Sequence, residues 1–458
     1  MINLLNGCSL GHMTEDEIIK FLEGTYIVGG ALRDIELGLK PKDIDYMVEG
    51  TTEDHMIAMG FNRVASHFPV FLHPSTNDEW ALCRTEHSTG VGMSDFIVET
   101  LNVSAKEDGL RRDLTMNALR KNVMSGKVID DFGGLEDIKN KVLRPTSEAF
   151  SEDPLRLLRV ARFYARYDDF QIHEDVFDIS NGDEIRKGLI KIAKERIIKE
   201  LEKVLNENKP SRYFRALLEM NILNIVHPEI HRMTLVPQRI DFHAEGSVFE
   251  HTMRTLDEAC KLSEDISTRY AALYHDIGKF MSFFLYGDLY AHDKESIVNQ
   301  EFSKLKDLKH PKSLITAGIE AAMHHHTIHK FYELTPKKIH DKMTSSTFPK
   351  SSLFLTRLLL VSKADSMGRL ISTTGKELST SEVHEAFNSN DYVNGAYQPR
   401  AYTLNEELIL EIFRDCIRIK IDFPKKLLET PLEIKGYQRI ERISKIRQKV
   451  AIDKKSRA

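Results

Sequence analysis

The stretch Tyr26-Ile27-Val28-Gly29-Gly30-Ala31-Leu32-Arg33-Asp34, followed by Lys42-Asp43-Ile44-Asp45-Tyr46, decides how the first third of the chain folds. An apolar β-type run that turns through two glycines into a helical pattern lets main-chain N–H groups approach phosphate oxygens closely, and the helix N-terminus adds favourable partial charge. Arg33, one turn into that helix, is placed to pair with the same phosphates. In the second run side chains alternate, so Asp43 and Asp45 are expected on one face with Cα atoms roughly 6–7 Å apart. At an effective dielectric of about 20 such charges repel by about 2–3 kcal/mol, a conflict that a divalent cation between them removes. Oxygen-only ligands favour Mg²⁺. Taken singly, a Gly-Gly turn is equally a plain tight turn, and an isolated Asp-x-Asp is more often a solvated strand end.

Working outward, Thr25 to Val28, Asp43 to Val48, Phe68 to Leu72, Glu79 to Cys83 and Phe96 to Val98 are expected as strands of one sheet, with helices such as Ala31 to Leu37 between them. From about Pro145 apolar residues recur at three- and four-residue spacing, which predicts an almost wholly helical remainder. Proline interrupts that pattern at Arg144-Pro145-Thr146, between Asn206 and Pro210, and between His227 and Pro237. The fold class expected is α+β, a mixed head followed by helical bodies.

The 458 residues predict about three domains. With 69 acidic against 64 basic side chains the chain has no global positive field, so any nucleic-acid contact must use a local patch. Cys8, Cys83, Cys260 and Cys416 form no Cys-x-x-Cys pair, which argues against a disulfide framework and a thiolate zinc site. No apolar run reaches the roughly 18 residues that span a bilayer, and the N-terminus lacks signal-peptide character. A soluble, cytoplasmic protein is expected.

Two further clusters supply that patch. Arg111-Arg112-Asp113 stands just before an apolar run, and its arginines suit bidentate phosphate contacts while the aspartate can accept a ribose hydroxyl. In Glu152-Asp153-Pro154-Leu155-Arg156, the acids and the proline mark a helix start. Arg156, Arg159, Arg162 and Arg166 then share a sector of about 120° on an ideal helix. By itself that is more often a solvated stripe.

These motifs, in this order, resemble the bacterial-type tRNA nucleotidyltransferases, the class II CCA-adding enzymes of the DNA polymerase beta superfamily, a class that also includes bacterial poly(A) polymerases. The resemblance runs from about Tyr26 to at least Arg369 and takes in Phe68-Pro69-Val70-Phe71-Leu72-His73-Pro74, Arg84-Thr85-Glu86 and Asp130 to Asp137. It implies a polymerase-beta-like nucleotidyltransferase head, with Asp43 and Asp45 binding catalytic Mg²⁺. It implies that Gly29, Gly30 and Arg33 contact the triphosphate of CTP or ATP, and that Arg112 and Asp113 serve triphosphate and ribose. Asp153 and Arg156 would read the base edge as a protein template, with Arg159 and Arg162 completing the nucleotide site. Residues 92–110 would form a loop that aids the switch from C to A.

Downstream, His251, His275-Asp276-Ile277-Gly278-Lys279, His292, His324-His325-His326 and Asp365 form an ordered series. Neutral imidazoles and carboxylates from separate helices can converge on one transition metal. The series resembles an HD-type phosphohydrolase, which implies that His251, His275, Asp276 and Asp365 ligate a divalent transition metal such as Ni²⁺ or Mn²⁺. His292 and His325 match positions that support a second metal or bind substrate phosphate. The resemblance implies phosphatase, 2′-nucleotidase and 2′,3′-cyclic phosphodiesterase activities there.

The expected organisation is an N-terminal extension (1–22), a nucleotidyltransferase head (23–145), a helical neck (146–235), an HD domain (236–370) and a helical tail (371–458). The expected partners are tRNA, CTP and ATP, without a membrane, as monomer or homodimer. Two rival readings stand beside CCA addition: a poly(A) polymerase, and an HD phosphohydrolase whose head only binds RNA. The tail residues Lys420, Lys425, Lys426, Arg439, Arg442, Lys445, Arg447 and Lys449 either touch tRNA or form a solvated helix face.

Overall fold

The computed structural model describes residues 2–64, 68–88, 96–239, 242–372, 397–399, 402–418 and 431–457. Its contacts divide the chain into two compact units, one of residues 1–204 with 212–226, the other of residues 205–211 with 227–458. Lys420, Lys425, Lys426 and residues 92–95 of the expected loop lie outside the described residues.

The first unit is built on β1 (Thr25–Val28), β2 (Asp45–Val48), β3 (Asn62–Arg63), β4 (Val70–Leu72), β5 (Glu79–Leu82), β6 (Thr85–Ser88), β7 (Phe96–Glu99), β8 (Arg120–Asn122) and β9 (Val128–Ile129). Among the described residues seven of these join in the order β3-β4-β5-β2-β1-β8-β9. Within it β2 and β5 run parallel, and the other neighbours pair antiparallel. The expectation that Phe96 to Val98 joins this sheet is corrected: among the described residues β7 pairs only with β6, as a separate two-stranded ribbon. A hairpin with its sequence neighbour satisfies both ladders at a small loop-closure cost. β2 begins at Asp45, two residues later than expected, and β8 escaped the reading because Arg120-Lys121-Asn122 is wholly polar.

Trp80 anchors the head core, stacking on Tyr46 at 4.6 Å and on Phe21 at 6.1 Å. Phe21 belongs to the helix Glu15–Glu23, whose start is fixed by a reciprocal cap between Thr14 and Glu17. Leu5, Phe21 and Leu22 are buried in that core, so the N-terminal segment is part of the head's packing. Helix Leu155–Arg166 follows Pro154 and buries Leu157, Leu158, Val160 and Ala161 on one side.

In the second unit, helices Val248–Leu262, Ile266–Tyr274, Lys312–His329 and Ser352–Gly368 meet along a seam of small side chains. Ala259, Ala271, Ala272, Ala317, Ala321 and Ala364 are all buried there. Small residues let helix axes approach, which brings short imidazole and carboxylate side chains within reach of one another. Helices Glu406–Arg418 and Pro431–Arg457 pack through Ile409, Ile412 and Ile446 onto the helix Pro336–Thr344 and its neighbours. Arg439 pairs with Asp341, and Lys449 with Glu411 and Asp415, so these two basic residues of the tail are held within their own unit.

Candidate functional site

A cavity of about 600 Å³ opens in the first unit. It is lined by the end of β1, by Gly29 and Gly30, by β2 and β5, and by the helix Leu155–Arg166. Gly29 has φ +69°, and a Cβ there would stand 3.2 Å from an Arg112 guanidinium nitrogen, so the turn needs a residue without a side chain. Ten sequence-predicted residues line this cavity: Gly29, Gly30, Arg33, Asp45, Arg112, Asp113, Asp153, Arg156, Arg159 and Arg162. Asp43 does not line it; it is exposed, two residues before β2, so strand alternation does not place it.

Asp45 opens β2 and is exposed to the cavity. Its carboxyl is pushed above the ordinary range by partial desolvation and by repulsion from Glu79 and Asp43, against the pull of Arg112. Glu79 is a residue the sequence reading passed over as an ordinary strand position. The parallel pairing of Tyr46 with Trp80 sets it beside Asp45. An all-oxygen group of carboxylates that repel one another is the donor set a hard divalent cation suits.

The cavity lining carries nine arginines against five carboxylates, which leaves it positive. Buried acids hold these guanidinium groups in place. Asp108 accepts from Arg111 at 2.7 Å and from Arg112 at 3.2 Å; burial pushes its carboxyl up, but the two arginines outweigh this and hold it low. Arg33 donates to Asp34 at 2.8 Å and to Asn117 Oδ1 at 2.7 Å, and Arg162 pairs with buried Glu200 at 2.9 Å. Asp113 accepts from Arg159 Nε at 2.7 Å, from Asn117 at 2.8 Å and from the Leu114 N–H. Those bonds overcome desolvation and hold its carboxyl far below the usual range.

Asp153 and Arg156 are both engaged with the protein. Asp153 Oδ1 caps the Leu155 N–H at 3.1 Å, and Oδ2 accepts from Arg196 at 2.7 Å. Arg156 donates to the carbonyl of Arg111 at 2.6 Å and to that of Ala149. Arg196 was missed because it lies on the separate helix Lys194–Val204, where Lys194-Glu195-Arg196 looks like any solvated helical stretch.

The second unit gathers the histidine series. The ligand atoms of His251, His275 and Asp276 lie within 4.8 Å of one another, all buried. His251 Nε2 stands 3.0 Å from Asp365 Oδ1 and His275 Nε2 3.2 Å from Asp276 Oδ2. Close as these neighbours are, among the described residues none meets His251 Nε2, His275 Nε2 or Asp276 Oδ1 at hydrogen-bonding geometry, and all three atoms are buried. Orphaned atoms of this kind are costly unless a ligand completes them, and their imidazole and carboxylate chemistry fits a divalent transition metal. His292 Nε2 lies 3.4 Å from Asp276 Oδ1 and His325 Nε2 3.7 Å from it. Burial holds the His292 imidazole down at about 4 and that of His325 well below its ordinary value, which leaves both neutral.

Three more residues support this centre. Glu245 lies 2.9 Å from His251 Nδ1, Lys279 Nζ 2.6 Å from Asp276, and Arg369 donates twice to Asp365 at 2.9 Å. His329, which had no expected role, stands 2.5 Å from Asp365 Oδ2. His324 instead faces the Thr347 carbonyl, at 3.0 Å, and His326 faces Asp293.

Residues 25–144 match the Poly A polymerase head domain, residues 169–234 the "Probable RNA and SrmB-binding site of polymerase A", and residues 248–367 the HD domain. The multifunctional CCA protein of Mannheimia succiniciproducens is 36% identical over 398 residues, which cover 84% of this chain and 91% of that protein. The multifunctional CCA protein of Acinetobacter baumannii (strain SDF) is 44% identical over 260 residues, 56% of this chain and 63% of that protein. The Bacillus stearothermophilus CCA-adding enzyme, solved in complex with CTP, shares the fold with a TM-score of 0.54 at 20% identity, over 93% of this chain and 94% of that one.

Proposed function

Because the chain belongs to the multifunctional CCA proteins, the bacterial-type CCA-adding enzymes, we propose that its arginine-lined cavity adds the 3′-terminal CCA of tRNA from CTP and ATP. The observation that carries this reading is the meeting of Asp45, with Glu79 beside it, and the Gly29-Gly30 turn with a wall of oriented arginines in one cavity. Arg33 and Arg112 bind the triphosphate, and their buried partners keep the guanidinium groups aimed while the nucleotide enters. Asp153 and Arg156 present an acceptor and a donor to the base edge, a pair that suits cytosine or adenine without a nucleic-acid template. The tRNA 3′-oxygen forms the new bond to the α-phosphorus, the bond to the β-phosphate bridge breaks, pyrophosphate leaves, and the hydroxyl proton passes to solvent or to Asp45.

Both domain types are metal-dependent. In the head Asp43 and Asp45 would hold Mg²⁺, which when bound acidifies the attacking hydroxyl and offsets the charge of the departing pyrophosphate. In the second unit His251, His275, Asp276 and Asp365 would hold a divalent transition metal, which when bound acidifies water. There Lys279 and Arg369 fix the ligating carboxylates, His292 faces the cavity by which a phosphate would enter, and His325 stands behind it at 3.4 Å. Hydrolysis joins a water oxygen to phosphorus, breaks the ester P–O bond, and returns the proton to the leaving hydroxyl. This supports phosphatase, 2′-nucleotidase and 2′,3′-cyclic phosphodiesterase activity as a second function.

No helix among the described residues is long and apolar enough to cross a membrane. The test of the reading is product length and composition. With a tRNA lacking its last three nucleotides, labelled CTP and ATP should give a product three nucleotides longer that stops there; an A-only ladder from ATP alone would instead mark a poly(A) polymerase.

A further inference from the structure

A second cavity, of about 720 Å³, opens beside the histidine centre. His292, Lys279 and Arg369 line it, so it reaches the residues around Asp276 and Asp365. Arg239, Lys330 and Lys342 add further cations, which outnumber the lining carboxylates Asp288 and Asp293. The phosphohydrolase reading accounts for these charges. It names nucleotides among the substrates but no residue that would meet a base, and Phe242, Phe283, Leu289, Tyr290 and Leu334 line the same cavity.

Three of those rings face water. Phe242 is 55% exposed, Phe283 37% and Tyr290 84%. Exposed aromatic surface gathered at a cavity mouth is a recognition feature more often than a packing residue. Arg239 lies over the Phe242 ring at 5.1 Å, a cation already set against a π face. A site for bare phosphate needs cations alone. A ligand that carries an anionic phosphate at one end and a flat aromatic system at the other uses both halves of this lining, and the volume lies within the range of small-molecule sites.

We infer that Phe242, Phe283 and Tyr290 form a base-stacking shelf that selects a nucleoside monophosphate for the histidine centre, while Arg239, Lys330 and Lys342 steer its phosphate inward. The inference rests on the phosphohydrolase reading above and adds to it the residues that set substrate choice. Base stacking on aromatic side chains tolerates any base, so preference for a nucleotide over a ring-less phosphoester is the signature, with little discrimination among bases.

The test uses the full-length protein loaded with Ni²⁺ or Mn²⁺, with adenosine 2′-phosphate and glycerol 2-phosphate as substrates. The unaltered protein should favour the nucleotide by about 10-fold or more in kcat/KM, the scale of one stacking contact. The Phe283→Ala/Tyr290→Ala variant should lose about 10-fold on the nucleotide through KM, keep its kcat and its rate on glycerol 2-phosphate, and recover with Tyr290→Trp in place of Tyr290→Ala. Both positions are solvent-facing, and an unchanged melting curve confirms the fold. Equal turnover of both substrates by the unaltered protein, or equal loss on both in the variant, overturns the shelf. If His275→Ala leaves hydrolysis of glycerol 2-phosphate intact, the phosphohydrolase reading itself fails, and the shelf falls with it.

Discussion

Arg159 donates its Nε to Asp113 at 2.7 Å, and through that bond the helix Leu155–Arg166 is tied to the segment that carries Arg112. Arg159→Ala leaves the buried Asp113 carboxylate with only Asn117 and the Leu114 N–H. Water still reaches about a third of the Arg159 side chain, so the expected loss of stability is modest, about 1–2 kcal/mol. KM for both CTP and ATP should rise together. Thermal melting and steady-state kinetics measure the two effects; an unchanged KM would mean that Arg159 serves the fold alone.

Arg196 is expected to act on the nucleotide through Asp153. Its bond to Asp153 Oδ2 orients the acceptor expected to meet the base. Arg196→Ala should lower selectivity between CTP and ATP more than total incorporation, and Arg196→Lys should restore part of it. Sequencing the added nucleotides reads the outcome.

Gly278 follows the His275-Asp276 pair, and a Cβ there would lie 2.1 Å from the His292 carbonyl oxygen. Gly278→Ala therefore forces the backbone of one ligand segment away from the other, at a cost of about 1–3 kcal/mol. Bound metal per chain and phosphohydrolase activity should fall, while CTP addition persists. A full metal complement in the variant would contradict this account of the centre.

Acid should weaken the second unit in a defined window. His310 is buried against Tyr270, near Glu229 and His227. Desolvation holds its imidazole at about 4, against an ordinary value of 6.5, with Glu229 pulling the other way and His227 adding repulsion. Between pH 6.5 and 4 the unfolded chain takes a proton that the folded one refuses, so stability falls as pH drops through this range and levels off below it. The contribution is at most about 3–4 kcal/mol. His292 titrates low as well, so the informative quantity is the difference between the unaltered protein and His310→Gln. Denaturant melts at pH 7 and pH 5 should show a smaller acid loss in the variant.

What the sequence made legible was local. The two glycines before Arg33, the Asp45 position and the helix start at Asp153-Pro154 all depend on near neighbours, and Gly29, Gly30, Asp45 and Asp153 line the cavity. The histidine series was legible because its members keep a chain order, although nothing local showed that an alanine seam lets their helices close together. Glu79 was hidden because its nearness to Asp45 comes from a parallel strand pairing between distant segments. Arg196, Glu245 and Arg369 escaped for the same reason, since each acts by reaching a residue on another element. For Asp43 only the alternation argument fails: the strand begins at Asp45, so whatever brings Asp43 near it is the segment before the strand.

The central claim is that one chain carries two separable chemistries, nucleotide addition at Asp45 and phosphoester hydrolysis at His275. The most direct test measures labelled CTP and ATP incorporation into a tRNA lacking its last three nucleotides, with the unaltered protein, Asp45→Asn and His275→Ala side by side. The account predicts complete CCA addition by the unaltered protein and by His275→Ala, and a loss of about 10³-fold or more in Asp45→Asn, the scale set by removing a principal electrostatic contribution to the transition state. Incorporation by Asp45→Asn at the unaltered rate would contradict it.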